Sequence, residues 1–254
     1  MKFKNKNILI TGASKGLGMI AAQKYAAEGA TLALVARSKD LLESLRSSLP
    51  NANQHKCFVV DFTKPDTIEN FAKEALQFFK NKIDVVVHCA GGGLGIKSSL
   101  LSYADLLTLF QVNLASAIEI NRIIIPEMQK QKSGSVLHIG SIASYEGVGS
   151  VGYNTVKASI SAYVRSMGRE MAKSGVIVSG IHPGGFTAPK NSMDRMKTDN
   201  PTAYNEFIQT RLPRGEMAQA DDLIPMLFLL SSAEAKMFCG CMVPMDAGES
   251  KVYI

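Results

Sequence analysis

The chain has 254 residues, 46% of them hydrophobic and 20% charged, with a net charge of +6. That composition excludes a disordered chain and supplies enough apolar side chains for a large core. The basic excess favours anionic partners such as phosphorylated small molecules, but apart from Lys2, Lys4 and Lys6 the cations are scattered, so no nucleic-acid arm is expected.

In chain order, the basic start leads into an apolar run of only Ile8 to Ile10, too short for a signal-peptide core. No uncharged run approaches the length of a membrane span, so a cytoplasmic protein without membrane association is expected. Strands are predicted at Asn7–Thr11, Thr31–Ala36, Lys56–Val60, Ile83–Cys89, Ser135–Gly140, Val176–Ile181 and Met242–Met245. Helices are predicted at Leu17–Glu28, Asp40–Ser48, Asp66–Lys80, Tyr103–Gln131, Gly152–Lys173 and Asp221–Ser231. The strands are apolar without alternation, as when both faces of a sheet are covered. Strand–helix alternation then predicts an α/β fold: a Rossmann-type, doubly wound, parallel seven-stranded sheet in a single domain over residues 1–254. One segment breaks the rhythm. His182 to Met217 carries Pro183, Gly184, Gly185, Pro189, Pro201, Pro213 and Gly215, and reads as an irregular insertion, with a substrate lid over about 187–212 or an ordinary surface excursion.

Three of the four cysteines (Cys57, Cys89, Cys239 and Cys241) fall in apolar strand-like runs, and Cys239 and Cys241 lack a second Cys or His pair at zinc spacing. Neither a metal site nor a disulfide framework is expected.

The first strand runs into Thr11-Gly12-Ala13-Ser14-Lys15-Gly16-Leu17-Gly18, and a helix follows. Glycines there permit a tight turn and close approach of a pyrophosphate, which the helix N-terminus attracts through free N–H groups. The spacing is G-x-x-x-G-x-G, not the commoner G-x-G-x-x-G. Adenine dinucleotides with a free ribose 2′-hydroxyl are met by an acid near the end of the second strand, those with a 2′-phosphate by Arg. Here the strand ends in Ala36-Arg37, with Lys15 as a second cation, so NADP(H) is the expected cofactor. Asp61, followed by Phe62, closes the third strand; it accepts from the adenine amino group or caps the next helix.

Tyr153 and Lys157 are four apart at the start of a predicted helix and share a face. A phenol with a free pKa of about 10 is a poor acid–base group at neutral pH, and a nearby ammonium draws it downward. Upstream, Ser141 ends the fifth strand, where a hydroxyl faces the ligand crevice and can hold a substrate oxygen.

Taken in order, Gly12/Gly16/Gly18, Asp61, Ala90-Gly91, Asn113, Ser141, Tyr153, Lys157, Pro183-Gly184 with Thr187, and Asp246 resemble the single-domain branch of the short-chain dehydrogenase/reductases over nearly the whole chain. The resemblance implies hydride transfer between nicotinamide and a carbonyl or alcohol. Tyr153 would be the proton donor and Ser141 would position the oxygen. Lys157 would bind the nicotinamide ribose and depress the Tyr153 pKa, and Asn113 would hold a water in the proton relay. Cofactor contacts are expected from Gly12, Ser14, Lys15, Gly16, Leu17, Gly18, Arg37, Asp61, Phe62, Ala90, Gly91, Tyr153, Lys157, Pro183, Gly184 and Thr187. Strand order 3-2-1-4-5-6-7 and a homotetramer or homodimer built on the two long helices are also implied.

Three departures stand out. His88-Cys89 replaces an Asn pair, the last motif reads Asp246-Ala247-Gly248, and Ser141 to Tyr153 spans 153 − 141 = 12 positions, one fewer than is commonest, which keeps Ser144 as an alternative to Ser141. His88, His138 and His182 lie in or beside strands and read as structural. The substrate is a small carbonyl or alcohol. The resemblance points first to a 3-oxoacyl thioester, with Lys130, Lys132 and Lys173 as a patch for an acidic carrier or as ordinary helix-end cations. The alternatives are a sugar, cyclitol, steroid-like or xenobiotic ketone, or a module that binds NADP(H) without turnover.

Overall fold

Each apolar run becomes one strand of a parallel sheet, because its side chains are wanted on both faces. The computed structural model describes residues 1–252. The strands are β1 (Asn7–Thr11), β2 (Thr31–Ala36), β3 (Lys56–Val59), β4 (Val85–His88), β5 (Gly134–Ile139), β6 (Val176–Pro183), β7 (Phe186–Thr187), β8 (Ala218–Gln219) and β9 (Met242–Met245). The helices are α1 (Gly16–Ala27), α2 (Lys39–Ser48), α3 (Asp66–Phe78), α4 (Tyr103–Phe110), α5 (Ser116–Gln131), α6 (Val151–Met171), α7 (Ser192–Asp199), α8 (Pro201–Arg211) and α9 (Ala220–Leu230). Seven strands form one sheet in the order β3-β2-β1-β4-β5-β6-β9, every pair parallel. This is the expected doubly wound order, with β9 as the seventh strand.

Residues of β1 show why the strands lack polar alternation. Ile8 and Ile10 pack on one side with Ala21 of α1, Leu42 of α2 and Leu223 of α9. Leu9 packs on the other with Phe71 of α3, Ile124 of α5 and Ile160 of α6. All three β1 residues are 0% exposed, and each such side chain contributes roughly 1.5–3 kcal/mol. The strand order reverses between β1 and β4, which opens a crevice at their C-terminal ends.

Two predicted elements differ from the structure. The single helix expected over 103–131 is interrupted by a π turn at Gln111–Ala115. There Asn113 Nδ2 donates to Leu109 O at 2.9 Å, competing for the carbonyl that a regular helix gives to a backbone N–H. The segment 182–217, expected to be irregular, extends β6 to Pro183 and then forms α7 and α8, with β7 and β8 as a small parallel pair at its ends. Asn191 caps α7 through Asp194 N, Asn200 caps α8 through Ala203 N, and Pro201 opens α8, where its missing N–H costs nothing. Pro201, placed by the sequence in an irregular insertion, is a helix start.

Candidate active site

The glycine loop closes against the neighbouring strand because it has no side chains in the way. Gly12 and Gly16 have φ of +67° and +62°, which L-residues avoid. A Cβ on Gly12 would stand 2.8 Å from Ala90 N, and one on Gly18 would stand 2.5 Å from Gly12 O. Thr11 Oγ1 accepts from Ala90 N at 3.1 Å and joins the loop to the end of β4. The first turn of α1 has no acidic residue, and Lys15 at its N-cap makes no side-chain cap. Its N-terminal end is therefore electropositive and suited to an anion. The Gly16 N–H meets Pro189 O at 2.8 Å, so the start of the 187–212 segment rests on the loop. Ser14 and Lys15 lie beside Pro189 and Lys190 in a cavity of about 270 Å³, while Leu17 turns into the core.

Arg37 is exposed just past β2, with no salt bridge among the described residues. Asp61 caps its own turn rather than α3: Oδ1 accepts from Thr63 N at 3.0 Å and Thr63 Oγ1 at 2.9 Å, whereas Pro65 is the N-cap of α3. The Thr63 amide, then the Thr63 hydroxyl and more weakly Arg37, hold the Asp61 carboxyl below its ordinary range. The Phe62 side chain is buried in the core, which leaves only its backbone to face a ligand.

Beyond β4, Ala90 and Gly91 run toward Asn113. The Asn113 amide donates to Gly92 O at 3.0 Å and to Leu109 O, and its Oδ1 accepts from Gly92 N at 2.9 Å. A Cβ on Gly91 would lie 2.6 Å from Asn113 Oδ1 and 3.7 Å from Lys157 Nζ, so these two groups flank the same glycine. No atom stands within 4 Å of where a Gly92 Cβ would be.

Ser141, Tyr153 and Lys157 converge as expected. Ser150 caps α6 by accepting from Tyr153 N, which sets Tyr153 in the first turn and Lys157 one turn further on. Lys157 Nζ donates to Ile139 O at 2.7 Å and lies 5.6 Å from the centre of the Tyr153 ring. Ser141 Oγ accepts from Ala143 N at 3.1 Å. The Ser144 hydroxyl instead donates to Lys157 O at 2.9 Å, so the shortened loop presents Ser141 to Tyr153 and turns Ser144 away.

The electrostatics correct one expectation. Burial pushes the Tyr153 phenol above its ordinary range and the Ser141 hydroxyl pulls it partly back. The expected depression by Lys157 is not the net effect: burial outweighs it in the protein without cofactor, and Lys157, itself buried, has its pKa lowered to about 8. In the protein alone Tyr153 therefore keeps its proton at neutral pH.

Pro183 ends β6 and Gly184 N donates to Met245 O at 3.1 Å. Thr187 does not turn its hydroxyl into the crevice: Oγ1 donates to Ala218 O and accepts from Gln219 Nε2, both at 3.3 Å, tying β7 to β8. The apolar residues between α7 and β8 pack on one another, with Tyr204, Leu212 and Met217 as their core. Arg211 reaches Glu249 Oε1 at 2.9 Å, while Glu249 Oε2 also accepts from Gly185 N. The sequence reading missed Glu249 and the role of His182, whose ring accepts from Ser141 N at 3.2 Å. Position at the C-terminal end of β6 was the available signal for His182. His88 and His138 are structural: they stack at 4.7 Å beneath Asn121, and burial lowers both pKa values. The four cysteines are free, and among the described residues no group of three or more His, Cys, Asp or Glu side chains could hold a metal.

The family model for short chain dehydrogenases matches residues 6–199. The chain belongs to that family. It is an oxidoreductase of the short chain dehydrogenases, and its glycine loop, uncapped α1 and exposed Arg37 fit a nicotinamide dinucleotide. The chain is 26% identical to the 3-oxoacyl-[acyl-carrier-protein] reductase FabG of Thermotoga maritima over 252 residues, covering 98% of this chain and 99% of that one. It is 28% identical to levodione reductase of Leifsonia aquatica over 261 residues, covering 99% and 97%. A crystal structure of levodione reductase superposes with a TM-score of 0.88 at 26% identity, covering 99% of this chain and all of that one. No helix among the described residues is long and apolar enough to cross a membrane.

Proposed function

We propose that this short chain dehydrogenase is an NADP(H)-dependent reductase of a small ketone. The observation that carries the reading is the convergence of Ser141, Tyr153 and Lys157, with the Tyr153 proton retained by burial. When bound, the nicotinamide ring supplies or accepts the hydride. Tyr153 gives its proton to the carbonyl oxygen, and in the reverse direction takes it back. Ser141 donates a hydrogen bond to the same oxygen and stabilises the charge that develops there. Lys157, fixed by Ile139 O, would have its remaining N–H groups left to hold the ribose hydroxyls of the bound cofactor. Asn113 shapes the Gly91-Gly92 turn by donating to Gly92 O and accepting from Gly92 N, its other N–H going to Leu109 O, and the second lone pair of Oδ1 would hold a water on the way to Lys157.

Arg37 and Lys15 take the 2′-phosphate, since both are cationic and no acid ends β2. The helix N-terminus of α1, with Gly12, Ser14, Gly16, Leu17 and Gly18, takes the pyrophosphate. Asp61, the Phe62 backbone, Ala90 and Gly91 line the adenosine side, and Pro183, Gly184 and Thr187 lie on the nicotinamide side, Thr187 through its backbone.

A small ketone is favoured over a carrier-bound 3-oxoacyl thioester by the placement of two sets of cations. Lys130 lies in the last turn of α5, and Lys132 and Lys173 lie just beyond the C-terminal ends of α5 and α6. The C-terminal end of α6 is roughly 27 Å from Tyr153 along the helix, at 1.5 Å per residue. Of the basic residues of segment 187–212, Arg211 is paired with Glu249 and Arg195 donates to Lys190 O, while Lys190 and Lys197 are exposed. A free thioester remains the second reading, on the likeness to FabG. Homo-oligomerisation along α4 and α6 is part of the proposal, because Leu100, Tyr103, Leu107 and Val151 leave an apolar surface there.

The test follows NADPH consumption with a panel of cyclic and open-chain ketones and acetoacetyl thioester, with NADH run beside it. NADPH-specific turnover of ketones supports the proposal. Turnover confined to the thioester replaces the substrate and keeps the mechanism. Tight NADPH binding with no turnover of anything favours the non-catalytic module.

A further inference from the structure

His182 ends up between three elements of the site. It sits one residue before the end of β6, and a Cβ on Gly140 would lie 2.5 Å from its Nδ1, so glycine at 140 makes room for the ring. The Tyr145 ring meets it edge-on, with centroids 5.2 Å apart. The Ser141 N–H donates to Nδ1 at 3.2 Å, which requires a lone pair on that nitrogen. The ring proton is therefore on Nε2, which donates to Ser161 Oγ at 3.3 Å. The Ser161 hydroxyl in turn donates to Lys157 O at 3.4 Å. Ser144, 3.4 Å from Nδ1, donates to the same carbonyl. One imidazole thus links the amide of the serine to the carbonyl of the lysine.

We infer that His182 is a positioning residue that fixes Ser141 relative to Lys157 by acting as a neutral hydrogen-bond bridge. The inference rests on the reductase reading above. Burial and the nearby Lys157 lower the imidazole pKa to about 4, which keeps the bridge neutral. A ring that only filled space would not need its nitrogens matched to donor and acceptor in this order. A buried donor left without its acceptor relaxes toward another partner, and here that donor belongs to Ser141.

The experiment compares His182→Asn with His182→Leu. The two replacements have nearly the same shape, and only Asn keeps an acceptor near the place of Nδ1. The Leu variant should lose kcat by roughly 10–100-fold, as misplaced catalytic groups do. NADPH binding, read by fluorescence quenching, should stay unchanged, and the Asn variant should recover most of kcat. A folded Leu variant with unchanged kcat, or equal losses in both variants at equal thermal stability, overturns the inference. A wild-type protein that neither binds NADPH nor reduces any ketone overturns the reductase reading instead. In that case the nitrogen NMR signals of His182 still decide about the bridge. A neutral Nε2–H tautomer through neutral pH supports it, and an Nδ1–H tautomer or a charged ring removes it.

Discussion

Lys157 Nζ lies 5.6 Å from the centre of the Tyr153 ring, and the carbonyl that anchors it belongs to β5, not to its own helix. The lysine is buried, and its pKa falls from 10.5 to about 8. The unfolded chain keeps the proton to about pH 10.5 and the folded chain releases it above about 8, so between them the unfolded state binds more protons and stability rises with pH. Thermal melts of the cofactor-free protein should show the wild type gaining on Lys157→Met across that window. A constant difference between the two would refute the burial of the ammonium.

Tyr153→Phe removes the phenolic proton while leaving the ring where it is. We expect kcat to fall by about 10²–10⁴-fold, the usual worth of a positioned acid. NADPH affinity should be nearly unchanged in a binding titration. A variant that still turns over ketones at the wild-type rate would move the proton-donor role elsewhere.

Arg37→Asp places an acid where the chain has a free guanidinium. Loss of a charge-assisted contact should weaken NADPH by roughly 10–100-fold. NADH should weaken much less or improve. Isothermal titration with both cofactors separates the cases, and equal losses would sink the 2′-phosphate assignment.

Arg211 and Glu249 join the end of α8 to the C-terminal segment, with side-chain exposures of 29% and 2%. Burial raises the Glu249 pKa, with the Gly185 N–H and then Arg211 opposing the rise. Arg211→Met leaves the carboxyl without its cation and should cost about 2 kcal/mol. For a chain of this size that lowers the melting midpoint by roughly 4–8 °C. Adding Glu249→Gln should restore part of the loss, since the amide oxygen still accepts from Gly185 N. Additive losses in the double variant would show that the pair is not coupled.

Where sequence reasoning succeeded, the controlling physics is local and periodic. The bounds of β1, β2 and β9 are those read from apolar runs alone. The helices of segment 182–217 were missed because Pro and Gly punctuate turns and helix starts alike. Whether Pro201 breaks or begins a helix depends on Asn200 accepting from Ala203 N. The π turn at Gln111–Ala115 was hidden for a similar reason, since nothing in the local pattern says that the Asn113 side chain will take the Leu109 carbonyl.

By itself the sequence determined the sheet, its apolar faces, the glycine loop, the cation at the end of β2 and the Ser141, Tyr153 and Lys157 set, because spacing along strands and helices fixes which residues share a face or an end. Only the tertiary structure decided what lies between those groups. It brought His182 of β6 between Ser141 and Ser161, turned the Thr187 hydroxyl into the β7–β8 pair and joined Arg211 to Glu249. It also reversed the expected direction of the Tyr153 pKa, because burial depends on how many atoms from distant segments exclude water, which no local pattern records.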